Sequence, residues 1–347
     1  MRLFVSATLF AVAAARACPG RISCYSPPPG DVNISSFQLY PENACFDPKR
    51  CVAYLSVLFN ASVAVYDPAK NDVTNVITFP GLTGNPALHA TGVRVDPLDR
   101  LSVVINAGAA FDTLGKDISG DSFLVKYDLK TRQTVFKANL TAVSHGLYGG
   151  FQDVEHNKEG DSFVLGTYGS SIIRVSTDGK HIVPWFVGTT PTSNVGFTGL
   201  ATSGHNLFVA DQTDGQLYRF DTRRERGEPV RIPLGHGNET IGKDLDAVYM
   251  PPRYNGRIIL VSDLNLGTVV LRSRDASWNS AERLGSIPSP YHDQGGISVA
   301  TVQIGDRIYS LNLFLGETNT VPDGDDTNRT DNPLQDISAE VERLSLL

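Results

Sequence analysis

Past its first residues the chain has no apolar run approaching the ~18 residues that a membrane helix needs, so no membrane span is expected. It has no surplus of positive charge: 30 Lys+Arg face 37 Asp+Glu, for a formal net charge of −7. No basic stripe gathers those cations, which excludes nucleic acid and anionic membranes as partners, because phosphate binding needs clustered cations. Cysteine is absent after Cys51. Also missing are a G-x-S-x-G nucleophile elbow, an H-E-x-x-H zinc helix, a P-loop and a G-x-G-x-x-G fingerprint. Any chemistry therefore falls to carboxylates, histidines, amides or a divalent ion.

The N-terminus sets the compartment. In MRLFVSATLFAVAAARACPG, Arg2 precedes an apolar run that ends in Ala15-Arg16-Ala17, an A-x-A cleavage site. Residues 1–17 read as a secretory signal peptide, too short to span a membrane. The expected location is the secretory lumen or the exterior. Cys18, Cys24, Cys45 and Cys51 then follow within one short segment. An even count in an oxidising compartment predicts two disulfides, with three possible pairings. Cys18–Cys24 with Cys45–Cys51 is favoured because each closes a short loop. The CxxC spacing of zinc ribbons is absent. Sequons at Asn33, Asn60, Asn139, Asn238 and Asn328 are candidate glycosylation sites and agree with secretion.

The main organising signal is a repeat. Short β-rich segments end in Asp: "SVAVYDP", "FLVKYDL", "IIRVSTDG", "QLYRFDT" and "VVLRSRD", placing Asp67, Asp128, Asp178, Asp221 and Asp275 at 43- to 61-residue intervals. Upstream of most lies a second β-rich run across a tight turn, and before that pair a third run, usually led by glycine, as in "TGVRVDP" and "GGFQDVEH". This order predicts an all-β, six-bladed β-propeller in a single domain, not a sandwich. Residues 18–51 read as a disulfide-tied lead-in and 52–347 as the propeller. The sixth blade is expected from Gly295 through "ISAEVERL" (337–344). No helix is predicted. The acidic loop around Asp323, Asp325 and Asp326 lacks the ligand spacing of an EF-hand and reads as solvated.

In such a fold the first strand of each blade lines a central channel, so its opening residues and the ends of second strands face the mouth. The candidate channel set is His89, Thr91, Gln152, Asp153, Phe197, Thr198, Asp246, His292, Asp293 and Gln294. Second-strand ends add Asn106, Tyr168, Asp211, Asp263 and Asn312. Strand alternation sends Gln152, Val154 and His156 one way and Phe151, Asp153 and Glu155 the other. Hence "GGFQDVEHN" (149–157) cannot converge on one ion. Asp153 and Asp246 are the candidate catalytic acids and His89 the candidate base. Gln152, Tyr168, Phe197, Thr198, Asp211, Asp263 and Gln294 are candidate substrate-binding residues. No metal site and no cofactor are expected.

The blade pattern, clearest in "VADQTDGQLYRFD", is similar to the gluconolactonase-like, strictosidine-synthase-like six-bladed propellers. In metal-dependent members a Glu opens the first channel strand. Here that position falls near Phe151 or Gln152, which breaks the ligand set. The segments "CFDPKRCVAYLSVLFNASVAVYDP", "GLYGGFQDVEHN", "GFTGLA", "GQLYRFDTR" and "DAVYMPPRYNGRIILVSD" resemble, over residues 45–290, a fungal secreted-type family of trichothecene biosynthetic clusters. That resemblance implies a role in sesquiterpenoid mycotoxin formation, with closure of an oxygen-bridged ring by hydroxyl attack on an allylic system and loss of water.

Three functions follow. The first is a cofactor-independent cyclase, a monomer acting on an apolar terpenoid through one acid and one base. The second is a metal-dependent, lactonase-like hydrolase. The third is a non-catalytic secreted binding or virulence-associated protein.

Overall fold

A computed structural model describes residues 24–235, 239–315 and 329–346. They form six four-stranded antiparallel sheets. The first five are sequential in the chain. Blade 1 runs Pro41–Asp47, Val52–Val57, Ser62–Asp67, Asp72–Ile77; blade 2 Leu88–Val95, Arg100–Ala107, Phe123–Asp128, Gln133–Asn139. Blade 3 is Gly149–His156, Ser162–Tyr168, Ser171–Val175, Ile182–Val187; blade 4 Phe197–Ser203, Asn206–Asp211, Gln216–Asp221, Val230–Ile232. Blade 5 is Leu245–Tyr249, Ile258–Asp263, Gly267–Arg272, Glu282–Ile287. Blade 6 takes three strands from the C-terminal part (Ile297–Ile304, Arg307–Leu313, Asp331–Asp336) and its outermost from Val32–Ser35. That last pairing, Val32 opposite Leu334, closes the ring between chain ends. First strands touch in a closed cycle, so the architecture is a six-bladed propeller around a central channel.

The recurring aspartates have a common task. Each follows or ends the third strand of its blade and accepts backbone N–H groups of the next turn: Asp67 from Ala69, Asp128 from Lys130 and Thr131, Asp178 from Lys180, Asp221 from Arg223, Asp275 from Ser277. This side-chain mimicry of a turn is why aspartate suits that position. Blade 6 has its own copy, Asp336, which accepts the Ser338 N–H. Six apolar clusters fill the six interfaces between neighbouring blades, for example Phe163, Trp185 and Phe197 between blades 3 and 4. Each buried Leu, Val or Phe contributes ~1.5–3 kcal/mol, so the fold is held mainly by blade-to-blade packing.

Several expectations change. Residues 32–35 and 41–47, assigned to the lead-in, are blade strands. Residues Ser338–Ser345 form a helix, not a strand, and bury Val341 and Leu344 in the blade 5–6 cluster. The disulfide is Cys24–Cys51, which pins the N-terminal segment to the first hairpin of blade 1. Cys45 is free and buried, contrary to the Cys45–Cys51 pairing. In that hairpin Cys45 pairs with Tyr54, while Cys51 sits in the turn at φ 56° and reaches outward. Short loop length was therefore a poor guide. Cys24–Cys51 also excludes Cys18–Cys24. Cys18, the signal peptide, Asn238, Asn328 and Asp323, Asp325 and Asp326 lie outside the described residues. Asn33 and Asn60 are exposed and Asn139 is half-buried. Among the described residues no helix is long and apolar enough to cross a membrane.

Candidate functional site

Every first strand breaks register with its neighbour at the same height. The irregularities fall between Pro41 and Ala44, Ala90 and Val93, Phe151 and Asp153, Phe197 and Gly199, Leu245 and Val248, and Ser298 and Ala300. A bulge re-aims the side chain it inserts. The inserted residues include Glu42, Asn43, Thr91, Gln152, Thr198 and Asp246. Two bulge glycine neighbours permit the close approach of strands: a Cβ on Gly92 would lie 2.8 Å from the Asp153 Cα.

Three carboxyls from three blades interact here. Asp153 is fully hydrogen-bonded: Val154 N and Asn43 Nδ2 donate to Oδ1 at 2.8 and 3.3 Å, and Leu200 N donates to Oδ2 at 2.8 Å. Burial lifts its pKa to about 6, with Arg94 opposing. Asp246, 8 % exposed, takes the Gln152 amide on Oδ1 at 2.6 Å, and Thr167 Oγ1 donates to Gln152 Oε1 at 2.8 Å. Burial and the neighbouring Glu42 and Asp153 push Asp246 well above the carboxylate range. Glu42 accepts no hydrogen bond from the described residues. Its carboxyl keeps some exposure towards a cavity yet is surrounded by protein, and burial together with Asp153 raises it to about 8. Glu42 is thus the proton-bearing group that faces open space.

That cavity, about 310 Å³, is lined by the polar residues Glu42, His89, Thr91 and Asp112 and the apolar residues Leu58, Phe59, Phe111, Leu313 and Leu315. Its volume is at the lower end of the ~300–1,000 Å³ typical of small-molecule sites. The His89 ring packs edge-on to Phe59 at 5.2 Å, and Gly108 leaves room for it. Burial lowers the His89 pKa, partly offset by Asp112, so the imidazole is neutral at pH 7. Below the carboxyls, Arg94 pairs with Glu155 at 3.1 Å and Thr202 Oγ1 donates to Glu155 at 3.0 Å.

Among the residues expected from sequence, Asp153, Asp246, Gln152 and Thr198 share the channel layer, and His89 and Thr91 line the cavity. The others disperse. Phe197 stacks on Phe186 at 5.5 Å in the blade 3–4 core. Its strand breaks phase at the bulge, so it turns away from the channel. Tyr168 is 2 % exposed beneath Phe111. Asp263 accepts N–H groups from Lys243, Asp244, Asn265 and Leu266, tying two loops together. Asp211 caps its own turn at Thr213, and Gln294 is exposed on a 3₁₀ turn. These five do not line the cavity. The residues not foreseen are Glu42, Asp112 and Phe111. Glu42 was hidden because "PENACFD" was placed in the lead-in. The strand–turn–strand order that follows it is the signal that marks it as a first strand.

A glutamate therefore does open the first channel strand, at Glu42 and not near Phe151 or Gln152. Even so, among the described residues no three His, Cys, Asp or Glu side chains form a group able to hold a metal ion. Asp246 Oδ1 is engaged by the Gln152 amide, and Asp153 accepts three N–H donors. The described residues at the mouth do not fit a metal centre.

The family model described as Mal s 1 allergenic protein-like matches residues 22–250. Trichothecene biosynthesis protein 14 of Trichoderma arundinaceum is 36 % identical over 345 residues, covering 94 % of this chain and 92 % of that protein. Core trichothecene cluster (CTC) protein 14 of Fusarium sporotrichioides is 36 % identical over 342 residues, covering 93 % and 88 %. The crystal structure of the major Malassezia sympodialis allergen Mala s 1 matches with a TM-score of 0.74 at 20 % identity, over 89 % of this chain and 96 % of that one, and shows the fold alone.

Proposed function

The chain belongs to the Mal s 1 allergenic protein-like family, and from that premise we propose that it is a cofactor-independent cyclase of fungal secondary metabolism. Its similarity to two trichothecene-cluster proteins supports a small sesquiterpenoid substrate. The observation that carries the chemistry is Glu42: a carboxyl held protonated by burial and lining a half-apolar cavity that the neutral imidazole of His89 also lines. Glu42 donates its proton to a departing allylic hydroxyl, which leaves as water as its C–O bond breaks. A second hydroxyl of the substrate attacks the resulting allylic carbon and forms the ether C–O bond. His89 takes the proton of that second hydroxyl. One water is lost, no electrons are transferred, and a proton returned from His89 to Glu42 through solvent restores the site. Each acid–base group contributes ~100–10,000-fold.

The compartment belongs to the same reading. The N-terminal signal pattern, the sequons and the Cys24–Cys51 disulfide support passage through the secretory pathway.

The test is incubation of the purified protein with polyhydroxylated sesquiterpenoid precursors, with and without EDTA, followed by mass spectrometry. A product lighter by one water, formed equally in both arms, is expected. A product heavier by one water, lost with EDTA, would replace this reading with a metal-dependent hydrolase. Binding with no product in either arm would leave a non-catalytic binding protein.

A further inference from the structure

The mouth is not six-fold symmetric. Between its second and third strands blade 3 has only Gly169 and Ser170, whereas blade 2 has residues 108–122, an arch with a short helix, Ala109–Asp112. Local hydrogen bonds tie the arch together. Thr113 Oγ1 donates to the Ala109 carbonyl at 2.7 Å, and Asp117 N donates back to Thr113 Oγ1 at 2.8 Å. Its far end is clamped onto blade 3. Gly115, at φ +79°, passes so close to Thr192 O and the Tyr168 ring that a Cβ would collide with both. From below, Gly150 at φ +62° leaves room for the other edge of Tyr168, where a Cβ would lie 2.5 Å from Cδ2. Tyr168 is therefore fixed between two glycines, and it carries Phe111 at 5.6 Å between ring centroids. This explains Gly150, the second glycine of "GGFQDVEHN".

We propose that Phe111 is the specificity-determining residue of the cavity, a fixed wall that sets the largest ring system admitted. It stands on the arch with Tyr168 behind it and the cavity in front. Widening the cavity at Phe111 would require displacing the Tyr168 ring, which is packed against Gly115 and Gly150. The size of the substrate class rests on the cyclase reading, but the wall is independent of any turnover. One methylene in an apolar pocket discriminates ~10–200-fold, so a whole ring at this position governs entry strongly.

The experiment is calorimetric titration with mono-, sesqui- and diterpenoid cyclic alcohols. The wild-type chain should bind the sesquiterpenoid at least ~10-fold tighter than the diterpenoid. Phe111→Ala should shrink that ratio below ~3-fold by admitting the larger alcohol, with Phe111→Leu between them. Leu114→Ala, on the exposed side of the arch, should keep the wild-type ratio. A folded Phe111→Ala variant that keeps the wild-type ratio overturns the proposal while leaving the cyclase reading intact. Size selection without any turnover of hydroxylated precursors does the reverse. A wild-type chain that binds none of the three alcohols overturns both.

Discussion

Two buried polar clusters join neighbouring blades, and they are built on opposite principles. Between blades 2 and 3, Lys126 is fully buried and donates to Asp96 at 3.2 Å, Ser102 at 2.6 Å and Ser162 at 3.0 Å. Asp96 also receives Arg100 at 2.7 Å and the Leu98 and Arg100 N–H groups, while Ser102 Oγ bonds His156 Nε2 at 2.8 Å. There, Lys126 and Arg100 meet Asp96 and most donors meet acceptors, although His156 Nδ1 has no hydrogen-bond partner among the described residues. At the channel mouth three carboxyls repel one another, Arg94 offsets this at Asp153, and Glu42 accepts no hydrogen bond from the described residues. A cluster selected only for stability resembles the first. Imbalance facing a cavity is the signature of a site that has to exchange protons.

The largest expected effect breaks the balanced cluster. Asp96→Ala strands the buried Lys126 ammonium, which should cost ~3–5 kcal/mol of unfolding free energy in urea titrations. A loss below ~1 kcal/mol would show that the clasp is not a stabilising unit. Next comes the mouth. Glu42→Gln should lower kcat by at least ~100-fold and remove the alkaline limb of the pH–rate profile, which for the wild type should fall near pH 8. Its stability at pH 7 should hold or rise, because a group that resists ionisation is replaced by a neutral one. Unchanged turnover in Glu42→Gln would remove the acid from the mechanism.

Stability against pH separates the clusters by sign. Glu42 is raised from 4.5 to about 8, so the folded chain holds a proton that the unfolded chain has lost between those values. Its contribution is present at low pH and disappears as pH rises through that window, at ~1.4 kcal/mol per pH unit for one proton. Burial lowers Lys126 from 10.5 to about 8, so the unfolded chain holds the extra proton between those values. Stability from this group rises with pH across 8 to 10.5. The difference between wild type and Glu42→Gln should therefore slope downward from pH 4.5 to 8, and that between wild type and Lys126→Met upward from 8 to 10.5. Equal signs would contradict the contrast.

The blade repeat was legible because each unit repeats one local device, a third strand closed by an aspartate turn, and local devices leave local sequence traces. Blade 6 was legible only in part. Asp336 does the same work as the other five aspartates, but it is followed by a helix, and the outermost strand comes from residues 32–35 at the other chain end. Pairings that distant have no adjacent sequence signal. The site was half legible for a different reason. Alternation along Phe151–His156 assumed an unbroken strand, and the bulge at Gln152 shifts the phase. Phe151 therefore joins Val154 in the core, and Gln152 and Asp153 both reach polar partners around the channel. Bulges depend on how six strands crowd one axis, which no single segment encodes.

The smallest expected effect lies between the two clusters, at Glu155. It accepts Arg94 at 3.1 Å on one oxygen and Thr202 Oγ1 at 3.0 Å on the other, and it sits beside His156 of the clasp. Burial raises its pKa while Arg94 opposes that shift. Glutamine keeps both acceptor and donor capacity, so Glu155→Gln should leave the fold intact and change kcat by less than ~3-fold, well short of a general acid–base contribution. Its consequence is electrostatic. Without Glu155, the Arg94 charge acts more fully on Asp153, and one like charge beside Asp153 is gone, so both changes lower the Asp153 pKa from about 6. A carbon-13 titration of the Asp153 carboxyl should then show a midpoint moved to lower pH, while Glu42, raised by its own burial and by Asp153, keeps its alkaline midpoint. If the Glu42 midpoint moved with that of Asp153, the mouth and the deeper layers would be one coupled network, and the contrast between balanced and unbalanced clusters would fail.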